Sequence, residues 1–122
     1  MLSIIQTISL MGLDGKLVEV QTDISGGLPN FEIVGLPDVT VKESKERIKS
    51  AIKNSGVQLN SRKILINLAP SDIKKEGSGY DLPIAVGILS AVGAIGKFDE
   101  KSTIFIGELA LDGKINKIPG IL

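Results

Sequence analysis

The 122-residue chain contains no cysteine, no histidine and no tryptophan. Without cysteine it has no disulfide, no thiolate nucleophile and no thiolate metal site. Without histidine it lacks the usual general base and the commonest transition-metal ligand. Ser–His–Asp and Cys–His mechanisms are therefore closed to it. Proton transfer is left to Asp, Glu, Lys and Tyr80. Aromatics are scarce, three Phe and one Tyr, which argues against a base-stacking platform. Excess charge is missing as well: 14 basic residues balance 14 acidic ones, so no global field draws the chain to nucleic acid or anionic lipid. Any such attraction must come from a local patch. The longest apolar run, Leu82 to Ile95, is too short to span a bilayer. The opening "MLSIIQTISL" lacks a basic leader and a small-residue cleavage site. A cytoplasmic protein without membrane contact is expected.

What is present suffices for a core. The hydrophobic content of 43% and a mean hydropathy of +0.26 exclude disorder. The length suits one domain over residues 1–122. "LSIIQTISL" and "KLVEVQTDI" read as two strands joined by a turn at Asp14-Gly15, and "FEIVG" as a third. "DVTVKESKERIKSAIKNSG" reads as an amphipathic helix with Val41, Ile48, Ala51 and Ile52 on one face. Thr40 and Glu43 have the spacing of a capping box, and Gly56 stands where a helix-terminating glycine belongs. "RKILINLA" alternates as a strand. Asp81 is placed to cap a second helix, "LPIAVGILSAVGAIG", with Pro83 in its first turn and apolar residues nearly all round. "STIFIG" reads as a strand and "ELALDGKINKI" as a hairpin turning at Asp112-Gly113. The order predicts an α+β fold with six or seven strands and two main helices.

Chemical motifs are weak. Gly107–Lys114, "GELALDGK", has five residues between its glycines where a P-loop has four, and Ile115 follows where Ser or Thr must hold magnesium. "GSGYDL" lacks the third glycine of a dinucleotide fingerprint. A Ser–Lys dyad survives the loss of histidine, with Ser71, Ser78, Lys74 and Lys75 on one loop. The plainer expectation is that these lysines are solvated and that Ser71 and Asp72 bond within the turn. The one electrostatic bias is on the first helix: between residues 42 and 53, five cations stand against two carboxylates. Lys42, Lys45, Lys49 and Lys53 fall on one stripe, with Glu43 spaced to pair with Arg47. The stripe is a candidate face for nucleic-acid backbone or a partner, and otherwise a solvated flank.

Three long segments, "GLPNFEIVGLPDVTVKESKERIKSAIKNSG", "NLAPSDIKKEGSGYDLPIAVGIL" and "GELALDGKINKIPGIL", resemble the N-terminal domain of the magnesium-chelatase-like AAA+ proteins of the ComM/YifB group. The resemblance runs over essentially the whole chain. It implies a two-layer Lon-protease-domain-like fold, similar also to the C-terminal domain of RadA. It further implies a downstream AAA+ module binding ATP and Mg²⁺, a hexameric ring, and ATP-driven DNA branch migration in natural transformation. In Lon-type proteases the catalytic serine lies in a Gly-Pro-Ser-Ala-Gly loop entering a helix. Laid on "KKEGSGYDLPIA", that position falls on Gly79, with Ser78 one residue short; the lysine position falls on Leu122. The resemblance thus implies a domain without a catalytic dyad that aids assembly or engages DNA or a partner. A residual peptidase using Ser78 and a pure oligomerisation module are the alternatives.

Overall fold

The computed structural model describes residues 1–9, 15–59 and 61–116. Asp14 of the first turn and Leu122 lie outside them. The described residues form six strands and two α-helices in the order β1 (Leu2–Ser9), β2 (Lys16–Gly26), β3 (Asn30–Val34), α1 (Val39–Asn54), β4 (Arg62–Ala69), α2 (Asp81–Ala91), β5 (Glu108–Leu109) and β6 (Ile115–Asn116). A 3-10 turn occupies Glu100–Ser102.

Four strands make one mixed sheet in the order β1-β2-β4-β3. β1 with β2 and β2 with β4 run antiparallel, whereas β3 runs parallel to β4 across the α1 crossover. Alternation along each strand sorts the two faces. Ile5, Val18, Val20, Ile24, Phe31, Ile33, Ile64, Ile66 and Leu68 point to the helices and form the core with Val41, Ile48, Ile52, Ile84 and Ile88. The helices cover that face only, giving a two-layer α+β arrangement. Val41, Ile48, Ala51 and Ile52 are buried as their spacing requires, and Ser44 joins them.

Capping differs from expectation at both helices. The cap of α1 is Asp38, whose Oδ1 accepts from the Val41 N–H at 2.8 Å, so Thr40 already lies inside the helix. Asp38 precedes the first helical residue and reaches the third N–H beyond it, the geometry a short carboxylate side chain favours. Gly56 does follow the C-cap with a φ of 89°. Asp81 is not a cap: Tyr80 holds that position without a side-chain bond, and Asp81 turns inward. α2 ends at Ala91, short of Gly96, because Gly93 adopts a φ of 75° and breaks the ladder. "STIFIG" forms no strand; at the β1 edge Ile104 makes an isolated bridge to Gln6 and Phe105 N–H donates to the Gln6 carbonyl. Phe105 instead packs edge-on against Phe98, ring centroids 5.6 Å apart. The β5–β6 hairpin forms as expected, with Gly113 at a φ of 95°.

Candidate functional site

A helix crossing between parallel strands runs antiparallel to both, so its C-terminal end lies beside the strand starts. The C-terminal half of α1 accordingly meets the first residues of β3 and β4. After Gly56 the chain folds back, and Val57 and Leu59 pack half-buried against the core. A groove of about 550 Å³ opens between these parts. Lys45, Lys49, Lys53 and Arg62 line it as cations; Ile52, Phe31, Ile64, Val57 and Leu59 supply apolar surface, and Asn30 and Gln58 supply amides. Among the described residues that line it, none is acidic. Four formal positive charges outweigh the roughly half negative charge that the helix C-terminus contributes.

Three of the four stripe lysines therefore share the groove, while Lys42 lies one turn away and exposed. Lys49 also faces Glu46 at 3.7 Å, an exposed pair worth a fraction of a kcal/mol. Arg62 was not expected. The only sequence signal for it is its place as first residue of the strand after the helix.

Arg47, the fifth cation of that segment, is engaged elsewhere. It does not serve Glu43: its Nε donates to Asp81 Oδ2 at 2.6 Å and its Nη2 to Oδ1 at 3.0 Å. Ser44 Oγ and the Leu109 N–H also donate to the Asp81 carboxylate, which is fully buried. The Asp81 hydrogen bond holds the Arg47 guanidinium above its ordinary pKa. α1, α2 and β5 are fastened at one carboxylate.

The glycine-rich loop before α2 is also packed differently from expectation. Lys75 is fully buried, not solvated. Backbone bonds from Lys75 N–H to the Leu36 carbonyl and from Asp38 N–H to the Lys75 carbonyl draw it under the turn before α1. Its Nζ donates to the Pro70 carbonyl, and burial lowers its pKa. Lys74 remains exposed beside Glu76. Ser78 donates to the Glu108 carboxylate, and this bond, helped by Asn116, pulls Glu108 below the usual carboxylate range. Gly79 sits in the turn, its carbonyl accepting from Gly107 N–H at 3.0 Å.

The Gly107–Lys114 segment folds as β5 and the turn that leads into β6. Several of its amides are already engaged: Ala110 N–H donates to the Lys114 carbonyl, Gly113 N–H to the Ala110 carbonyl, and Leu109 N–H to Asp81 on α2. A phosphate cradle needs such amides free, so these residues do not fit an ATP–magnesium site. No helix among the described residues is long and apolar enough to cross a membrane.

Residues 20–122 match the family model of subunit ChlI of Mg-chelatase. Across 99% of its length the chain is 46% identical to the uncharacterized protein YifB of Escherichia coli and 43% identical to that of Salmonella typhimurium. It is 40% identical, again over 99% of its length, to the competence protein ComM of Haemophilus influenzae. The chain spans 24% of the length of each of these relatives. It belongs to the magnesium-chelatase-like family of the ComM and YifB proteins.

Proposed function

We propose that this chain is a non-catalytic, Lon-like binding domain of a larger AAA+ ATPase, and that it holds nucleic-acid backbone in the α1 groove. In this reading the ATP and Mg²⁺ sites lie in another module, the protein acts as a cytoplasmic hexamer, and the work is branch migration of DNA during natural transformation. The competence name of the Haemophilus influenzae relative supports the last point. One observation carries the proposal: a net-neutral chain gathers Lys45, Lys49, Lys53 and Arg62 around one groove whose described lining has no carboxylate. Such a site reads phosphates and carries no sequence information.

The test is fluorescence anisotropy with labelled DNA at several salt concentrations. Four phosphate contacts predict a log–log salt slope of roughly −3 to −4 on duplex DNA. Exchanging Lys45, Lys49 and Lys53 for Glu should abolish binding. Unchanged affinity in that variant would leave a pure oligomerisation module as the better account.

A residual Ser–Lys peptidase is the competing reading, favoured by the desolvated Lys75 amine three residues from Ser78. Against it, Ser78 donates to Glu108 and Lys75 to the Pro70 carbonyl, so neither group activates the other. Covalent labelling of Ser78 by a serine-reactive phosphonate would establish the peptidase and remove the non-catalytic assignment.

A further inference from the structure

We infer that the open half of the β1 edge, from Leu2 to Ile4, takes an extended peptide as an added strand, one that alternates apolar residues with Lys or Arg. The inference goes beyond the backbone-binding reading and does not use its groove, because β1 and β3 stand at opposite ends of the strand order.

Main-chain directions define the edge. Met1 and Ile24 exchange both of their backbone bonds. Bonding sides alternate along an antiparallel strand, so Met1, Ser3 and Ile5 face β2 while Leu2, Ile4 and Gln6 face outward. Gln6 agrees, since its carbonyl accepts from Phe105 N–H. Ile104 lies parallel to Gln6 as an isolated bridge, so this edge already accepts a neighbouring chain at one residue. Extended backwards, that chain would pass Ile4 and Leu2, but Glu100–Ser102 winds into a 3-10 turn instead. Among the described residues, nothing bonds the outward N–H and C=O groups of Leu2 and Ile4. A slot of about 420 Å³ lies where the added strand would run.

Side chains decide what the slot accepts. Edge strands are commonly protected by proline or charge, and Leu2, Ser3, Ile4 and Ile5 offer neither. The β3 edge differs, with Pro29 before its first residue and Glu32 at its centre. Leu2 and Ile4 are exposed on the uncovered face of the sheet, where apolar side chains of an added strand would lie beside them. Glu19 stands on that same face, opposite Gln6. On the helix side the slot meets Lys101 and Glu100, whose carboxylate accepts from Ser90 on α2. Two carboxylates against one amine favour a basic strand. They disfavour a second copy, whose matching edge would bring the same acidic excess. Outward main-chain groups give such a contact its affinity, and the flanking side chains give it its preference.

The experiment uses the 122-residue chain and an end-blocked hexapeptide of alternating Lys and Val, read by amide hydrogen exchange and by anisotropy of the labelled peptide. Controls are the same hexapeptide N-methylated at every residue, and its Glu–Val counterpart. In the free chain the Ile4 amide should exchange faster than those of Ser3 and Ile5, and saturating Lys–Val peptide should slow it about tenfold. The N-methylated peptide, having no main-chain donors, should bind about tenfold more weakly. The Glu–Val peptide should bind about threefold more weakly. Ile4→Pro removes an outward N–H that β2 does not use, which an edge strand tolerates, and should weaken binding. Equal binding of the N-methylated peptide would overturn the inference. So would unchanged exchange at Ile4 with the Lys–Val peptide in excess. Protection of Ile4 that rises with protein concentration alone would assign the edge to a second copy and overturn it as well. Exchange on the unaltered chain decides the matter even if Ile4→Pro fails to fold.

Discussion

Arg47 Nε lies 2.6 Å from Asp81 Oδ2, and through this contact the first helix is tied to the start of the second. The residues are 34 positions apart, and Asp81 is completely buried while Arg47 keeps 23% of its side chain exposed. A buried carboxylate with one cation and two further donors is secure only while all of them remain. Asp81→Ala should therefore lose about 3–5 kcal/mol of unfolding free energy, because it leaves Arg47, Ser44 and the Leu109 N–H without their acceptor. Urea denaturation measures it. A loss within 0.5 kcal/mol, the usual range for surface positions, would show that solvent replaces the carboxylate freely.

Lys75 makes stability depend on alkaline pH. Its amine releases a proton more readily in the folded chain than in the unfolded one, because burial disfavours the cation. Between the lowered folded value and the ordinary lysine value, the unfolded state holds the extra proton. Raising pH through that window must therefore stabilise the fold. Burial pushes Tyr80 up, which acts oppositely and only above the ordinary tyrosine value. Chemical denaturation from pH 7 upward should show the rise in the native chain and not in Lys75→Met. Parallel profiles would refute it.

Gly87 is where α2 comes closest to the sheet. A Cβ there would stand 2.6 Å from Thr22 Oγ1, and Ser3 Oγ already donates to the Gly87 carbonyl at 2.7 Å. The overlap costs about 1–3 kcal/mol, which exceeds the roughly 1 kcal/mol of helix propensity that alanine adds. Gly87→Ala should lower the thermal midpoint. Adding Thr22→Ala should cost less than the two single effects combined, since the obstructing oxygen is gone. Strict additivity would place the strain elsewhere.

Ser78 sets the acid response of Glu108. With its carboxylate held below the usual range, Glu108 contributes stability above its unfolded value that is lost as pH falls through the folded one. In Ser78→Ala the Glu108 carboxyl should titrate higher, nearer an ordinary glutamate, as followed by NMR. An unmoved titration would mean that Asn116 or Arg47 does most of the holding.

Much of the fold was legible locally. The alternation of Ile64, Ile66 and Leu68 marked β4 over its observed span, and the 3.6-residue period of Val41, Ile48, Ala51 and Ile52 marked the buried face of α1. Asp112-Gly113 announced its hairpin because the turn places Gly113 at a φ of 95°, which glycine reaches without strain. The absence of histidine and cysteine closed whole classes of chemistry before any coordinates. These signals lie within one turn or one strand, where side-chain period and backbone freedom decide the outcome. Tertiary structure alone decided that Asp81 would bind Arg47 instead of a helix end, that Lys75 would be enclosed, and that Arg62 would join three lysines around one groove. Each of those outcomes depends on which distant segment arrives to desolvate or pair a charge.

Positive side chains converge on one crevice whose described lining includes no acidic residue. Neither sign nor spacing along a helix could establish that, because a crevice takes its second wall from another strand.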